Sequence, residues 1–284
     1  MKISHLKIKF LKALEGEYPP EEAGSFFNLL AEAYLKKTRL EIALEPNAPV
    51  NDKKLSLFDA AVERLMNHEP IQYIIGETEF FGLKFRVNEN VLIPRPETEE
   101  LVQWILEDVR RNDASAKLKI LDIGTGSGCI AVSLAKLLPQ ATVSAMDISA
   151  KALEVAKENA TLNAAEVNFI EADILQQEKL EEKYDIIVSN PPYVREIEKK
   201  EMQRNVLEHE PATALYVKDL DPLIFYNKIT KLATGTLNPG GCLYFEINQY
   251  LAEDTRELVE GFGFTTTLKK DIFGNHRMLK GIWK

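Results

Sequence analysis

Lys119-Ile120-Leu121-Asp122-Ile123-Gly124-Thr125-Gly126-Ser127-Gly128-Cys129-Ile130-Ala131 passes from a short buried-strand pattern, through three glycines, into an amphipathic stretch from Ile130 to Leu138. This is a strand, a tight turn and a helix. The glycines remove the Cβ atoms that would hold a ligand off the backbone, and they permit positive φ where the chain folds back. Their spacing is GxGxG, one residue short of the GxGxxG that seats a pyrophosphate on a helix N-terminus. An adenosyl ligand without a phosphate bridge fits this loop better than NAD does.

Outward from this element the pattern repeats. Ala141-Thr142-Val143-Ser144-Ala145-Met146-Asp147 ends a strand in an acid, roughly 20 residues beyond the glycines, the interval of a ribose-binding carboxylate. Val167 to Ile174 again carries an acid, Asp173, beside an apolar residue, Ile174. That pair suits an adenine, the carboxylate accepting from the exocyclic amine and the isoleucine packing on the ring. Taken singly, Asp147 and Asp173 read as readily as helix N-caps. In series they favour a ligand site.

A fourth strand pattern, Tyr184 to Ser189, stops at Asn190-Pro191-Pro192-Tyr193. Proline cannot extend a sheet ladder and holds φ near about −65°, so the chain must leave the strand there. Asn190 offers an acceptor oxygen and Pro191 a carbonyl, and together they can take both hydrogens of a planar NH2 group. Tyr193 supplies a flat wall. The plainer reading of the tetrapeptide is a strand-terminating turn.

Composition frames these motifs. A chain of 284 residues can bury a large core and has room for two domains. It has no run of 18 apolar residues, and Met1 to His5 lacks a signal-peptide pattern, so a soluble, cytoplasmic protein is expected. Its two cysteines, Cys129 and Cys242, read as reduced core residues. The four histidines show no ligand spacing, and no metal is expected. A formal charge of −9 argues against a duplex-DNA partner, although Lys36-Lys37 with Arg39, or Lys199-Lys200 with Arg204, could form a local basic face.

The first 75 residues carry helical periods: Leu6, Phe10 and Leu14; then Phe26, Phe27, Leu30, Ala33 and Tyr34 behind Pro19-Pro20. A short helix is expected from Arg39 to Leu44. Another should run from Lys54 to His68 with Leu57, Phe58, Ala61, Leu65 and Met66 inward. Glu79 to Val87 alternates around Gly82 and reads as a β-hairpin with a Gly-first turn. After it, Arg95 sits on a stiff loop between Pro94 and Pro96, able to position a ligand group or to make an interdomain ion pair. Pro96 opens a helix to about Arg111. Beyond Tyr193, helices at 221–237 and 251–260 alternate with strands at 241–247, 264–269 and 277–283. The sum is an α/β fold with a doubly wound, mostly parallel sheet and one antiparallel strand. Domains are expected at 1–75 (helical, for substrate recognition), 76–94 (hairpin linker) and 95–284. Ligands of such sheets bind beyond the carboxyl ends of the strands.

The chain resembles the HemK-type peptide chain release factor glutamine methyltransferases. The likeness rests on Leu92 to Glu99 (LIPRPETE), Leu121 to Cys129 (LDIGTGSGC), Asp147, Asn190 to Tyr193 (NPPY), Glu210-Pro211 with Ala214-Leu215, and Pro239-Gly240-Gly241. It implies the seven-stranded S-adenosylmethionine-dependent methyltransferase fold, and methyl transfer to the glutamine of the Gly-Gly-Gln motif in class I release factors. It further implies cofactor contacts from Gly124, Thr125, Gly126, Ser127, Gly128, Asp147, Asp173 or Ile174, and Asn190. Substrate contacts would come from Asn190, Pro191, Pro192 and Tyr193, with Asn190, Pro191 and Tyr193 catalytic. A ribosomal-protein glutamine and the amino group of DNA adenine are the alternative acceptors. Two departures stand out: Tyr216 to Pro222 lacks the family's glycine turn, and Asn248 stands where glycine is common. Neither is expected to touch Asn190–Tyr193.

Overall fold

The computed structural model describes residues 1–113 and 117–284. Contacts divide the chain into two compact units: Met1–Gly76 with Gln203–His209, and Glu77–Met202 with Glu210–Lys284.

The first unit is helical. Its helices are Ile3–Ala13, Pro20–Leu30 continuing as a π turn through Ala31–Leu35, Arg39–Leu44, Asp52–Met66 and Ile71–Ile75, with Arg204–His209 packed among them. The helix Arg39–Leu44 begins in a capping box, the Thr38 hydroxyl accepting from Glu41 N–H while the Glu41 carboxylate accepts from Thr38 N–H. Asn51 caps Asp52–Met66 through Lys54 N–H. The core gathers Phe10, Phe27 and Phe58, whose rings meet at 5.5–6.1 Å between centroids. Two expectations fail here: Leu57 and Met66 are exposed. Each follows or precedes a buried residue, Phe58 and Leu65, and a neighbour on a helix is turned about 100° away, so only one of each pair can face the core.

The second unit opens with the hairpin β1 (Glu77–Phe80) and β2 (Leu83–Arg86). Phe80 pairs with Leu83, leaving Phe81-Gly82 as a two-residue turn with φ of 52° and 73°. Both central residues are left-handed, a type I′ arrangement with glycine second, not the Gly-first turn expected. Glu99 helps hold Phe81 in that conformation by accepting its N–H at 2.7 Å. Phe80 and Phe85 are buried in this unit's core.

Four parallel strands follow: β3 (Lys119–Ile123), β4 (Thr142–Asp147), β5 (Val167–Glu171) and β6 (Tyr184–Ser189). A two-residue pair, β7 (Val194–Arg195) with β8 (Tyr216–Val217), lies outside the main sheet. The sheet is completed by β9 (Leu237–Glu246), β10 (Thr265–Lys270) and β11 (His276–Ile282). Its seven strands run in the order β10-β11-β9-β6-β3-β4-β5, and β11 alone runs antiparallel to its neighbours. Alternate side chains serve opposite faces. Ile120, Ile186 and Val188 pack with the helices Pro96–Asp113 and Cys129–Leu137. Leu121, Ile187 and Phe245 pack with Ile224–Thr236 and Ala252–Gly261. This is the doubly wound architecture the sequence predicts. From β3 the chain adds β4 and β5 on one side, then crosses to β6 on the other. The switch point therefore lies between β3 and β6.

Candidate active site

The glycine turn is clipped to its neighbour: Gly124 N–H and Thr125 N–H both donate to Met146 O, at 2.8 and 3.0 Å. Gly128 is the N-cap of Cys129–Leu137 with φ of +80°, and a Cβ there would stand 3.0 Å from Ala156 Cβ. Only glycine meets both conditions. Under the turn, Asp122 Oδ2 accepts from the Thr125 hydroxyl at 2.6 Å and Ala131 N–H at 3.2 Å. Burial pushes the Asp122 carboxyl up to about 7 against these two bonds. Sequence reasoning passed over Asp122; the available signal was a lone acid inside an apolar strand. Cys129 is buried at the same helix start, which pushes its thiol up to about 12 and leaves it inert.

Asp147 ends β4. Its Oδ2 accepts from Gly126 N–H at 2.8 Å and its Oδ1 from Ser149 N–H at 2.9 Å. Ser149, not Asp147, caps the helix Ala150–Leu162, through Ala152 N–H. Each Asp147 oxygen retains a further lone pair for a hydroxyl donor. Asp173 lies two residues past the end of β5 and is the cap its alternative reading described, accepting from Leu175 N–H at 2.9 Å. Ile174 follows it. Both border the same cavity as Asp147.

Asn190 leaves β6 directly after Ser189, whose hydroxyl donates to Ile123 O at 2.7 Å and so ties the two strand ends together. The Asn190 amide nitrogen donates to the Thr98 hydroxyl oxygen at 3.2 Å. Thr98 in turn donates to Glu246 Oε2 at 2.6 Å, and the Tyr193 hydroxyl donates to Glu246 Oε1 at 3.0 Å. Asn190, Pro191 and Pro192 border the cavity. Tyr193 is absent from its lining, its hydroxyl being spent on Glu246. Thr98 and Glu246 went unremarked in the sequence, although Glu246 is another acid within an apolar strand.

Arg95 makes the ion pair foreseen as its alternative, but with Glu210 of the same unit, at 2.5 Å; Glu210 also accepts from Ile93 N–H at 3.3 Å. This fixes Leu92 to Arg95 as a wall of the cavity. Of the two departures, the glycine-less segment contributes Tyr216, which lines the cavity and pairs in β8 with Val194. Asn248 does touch Asn190–Tyr193, contrary to expectation: its Nδ2 donates to Tyr193 O at 3.0 Å and to Glu198 at 2.9 Å. At φ of −66° it needs none of glycine's freedom.

Together these groups surround a cavity of about 530 Å³ that extends from Asp147 and Ile174, across the glycine turn, to Asn190 and Tyr216. One end offers carboxylates suited to hydroxyl and amine donors, the middle is bare backbone, and the far end presents a carboxamide. A nucleoside carrying an amino-acid arm matches that sequence of chemistries.

A family model described as the methyltransferase small domain matches residues 101–215. The hMettl16 catalytic domain shares the fold at a TM-score of 0.56 and 16% identity, with 82% of each chain covered. A methyltransferase from Pyrococcus furiosus does so at 0.52 and 18%, covering 79% of this chain and 98% of its own. Fold and site thus define a methyltransferase. A second family model, the PrmC N-terminal domain, matches residues 8–76. The release factor glutamine methyltransferase of Flavobacterium psychrophilum is 53% identical over 99% of both chains, and that of Bacteroides thetaiotaomicron 46% over 94% of this chain and 95% of its own. The chain belongs to the release factor glutamine methyltransferases.

Proposed function

We propose that this chain is an S-adenosylmethionine-dependent enzyme that methylates the side-chain amide nitrogen of the glutamine in the Gly-Gly-Gln motif of class I release factors. The observation carrying this reading is Asn190: it borders the cavity with its amide nitrogen donating to Thr98, so the end of the carboxamide turned away from Thr98 is the acceptor oxygen. The glycine turn, Asp147, Asp173 and Ile174 would hold the cofactor, which supplies an electrophilic methyl group when bound. The helical unit would recognise the release factor, and a cytoplasmic place of action accompanies that substrate.

An amide nitrogen is a weak nucleophile because its lone pair is delocalised into the carbonyl. Asn190 Oδ1 and Pro191 O would each accept one hydrogen of the glutamine NH2, holding the amide plane so that the nitrogen's π face is left open to a methyl donor. Bound S-adenosylmethionine would supply the methyl group and keep the electron pair of the carbon–sulfur bond on sulfur, while the Asn190 and Pro191 oxygens would stabilise the positive charge that grows on the substrate nitrogen as it takes the methyl. The extra proton then leaves to water, with no dedicated base. Asn190→Ala should lower turnover about 100-fold or more while weakening cofactor binding far less. Labelled S-adenosylmethionine, offered with release factor, with a variant lacking the glutamine, with ribosomal protein and with DNA, should mark only the first. Label on another polymer, or near-normal turnover of the variant, would overturn the reading.

A further inference from the structure

We propose that Thr98 and Glu246 are positioning residues that decide which end of the Asn190 carboxamide faces the substrate amide. This deepens the function proposed above and rests on it. Thr98 lies in the first turn of Pro96–Asp113, its N–H on Arg95 O at 3.0 Å; Glu246 closes β9; both are only 2% exposed. Burial raises the Glu246 carboxyl, while the Thr98 and Tyr193 hydroxyls and Arg277 favour its charged form.

A carboxylate has no proton to donate, so the 2.6 Å bond from Thr98 to Glu246 consumes the one proton of the threonine hydroxyl. The Thr98 oxygen is left with lone pairs only. It can accept from the Asn190 NH2, 3.2 Å away, and it repels the Asn190 oxygen in the reverse orientation. The two orientations of a carboxamide are nearly identical in shape, so packing alone selects neither. The hydrogen-bond chain selects one and turns Oδ1 away from Thr98. Reversed, Asn190 would set N–H donors against the N–H donors of a substrate amide, and the clamp would repel its ligand. Tyr193 steadies the same chain by holding the second carboxylate oxygen at 3.0 Å, and the Tyr226 hydroxyl donates to Glu246 O at 3.1 Å.

The test is a double-mutant comparison in methyl transfer from labelled S-adenosylmethionine to a class I release factor. Thr98→Val keeps the shape and removes the hydroxyl; it should lower kcat about tenfold, the worth of one well-placed hydrogen bond, with the KM for cofactor little changed. Thr98→Ser should regain most of that loss. In an Asn190→Ala background, Thr98→Val should cost nothing more, because no carboxamide remains to be oriented. An equal loss in both backgrounds, or a serine variant as slow as the valine one, refutes the positioning role alone. Normal turnover by Asn190→Ala instead strikes the acceptor reading, and this proposal with it. Should Thr98→Val not fold, Glu246→Gln carries the same comparison: its amide can donate to Thr98, which frees the hydroxyl proton to turn toward Asn190, so the same loss and the same non-additivity are expected.

Discussion

Asp122 shows how one buried group couples the site to pH. Its Oδ2 takes two hydrogen bonds, whereas its Oδ1 is buried without a partner among the described residues. The folded state therefore favours the neutral form, and its pKa rises from 3.8 to about 7. A group raised in this way gives stability that is complete below its unfolded pKa and is lost as pH rises through the folded one. Asp122→Asn keeps an oxygen for Thr125 and Ala131 and cannot ionise. Relative to the parent, the variant should gain stability between about pH 4 and 7, by a few kcal/mol at most. Melting temperatures of both proteins at pH 5 and pH 8 measure this, and parallel shifts would show that Asp122 does not titrate in that window. The same residue marks a limit of reading from sequence. Asp147 ends a strand pattern at a telling interval after the glycines and Asn190 ends one before two prolines, whereas Asp122 sits inside the strand pattern, and its partners become visible only once the turn is folded.

At the scale of elements, the glycine turn is held by more than its own residues. Asn159, fully buried in Ala150–Leu162, accepts from Arg86 N–H at 2.6 Å and donates to Arg86 O at 3.0 Å and Ser127 O at 2.8 Å. One side chain thus joins the hairpin, a helix and the turn. Asn159→Ala would leave Ser127 O without this partner in the interior and Arg86 N–H and O without theirs nearer the surface, and should cost about 1–3 kcal/mol, accompanied by weaker cofactor binding as Ser127 is released. Urea unfolding and a binding titration check the two halves. A stable variant with reduced affinity would show that the residue serves the turn but not the fold. Nothing in the local sequence pointed to this, since a mid-helix asparagine declares neither its face nor its partner. The elements themselves were legible: β6 at Tyr184–Ser189 and the helix Arg39–Leu44 fall where periodicity and the following residues placed them. The hairpin turn was misread because Phe81 takes a positive φ that local sequence does not favour, with Glu99, distant in sequence, accepting its N–H.

On the scale of the whole molecule, the cavity links occupancy to stability. If S-adenosylhomocysteine binds the folded unit and not the unfolded chain, a concentration of about 100 times its Kd should add about 2.7 kcal/mol. For a unit of this size that raises Tm by roughly 5–10 °C. Asp147→Ala should abolish most of the rise, because the carboxylate shaping that end of the cavity is gone. Differential scanning of both proteins with and without ligand decides it, and an undiminished rise in the variant would remove Asp147 from the binding site.

The seven strands of the main sheet and the helices between them, the glycine turn, the acids at or just past the ends of β4 and β5 and the proline stop after β6 were determined by the sequence alone, because each is a local matter of backbone freedom and side-chain period; the short pair β7–β8 and the helix Arg204–His209 carried no such signal. The insertion of β11 between β9 and β10 was not so determined, and neither was the meeting of Thr98, Asn190, Tyr193 and Glu246, which draws on residues up to 148 positions apart. Those partnerships exist only after distant strands have paired. The direction in which a carboxamide points is therefore a property of the folded sheet rim, where one buried carboxylate dictates which proton goes where.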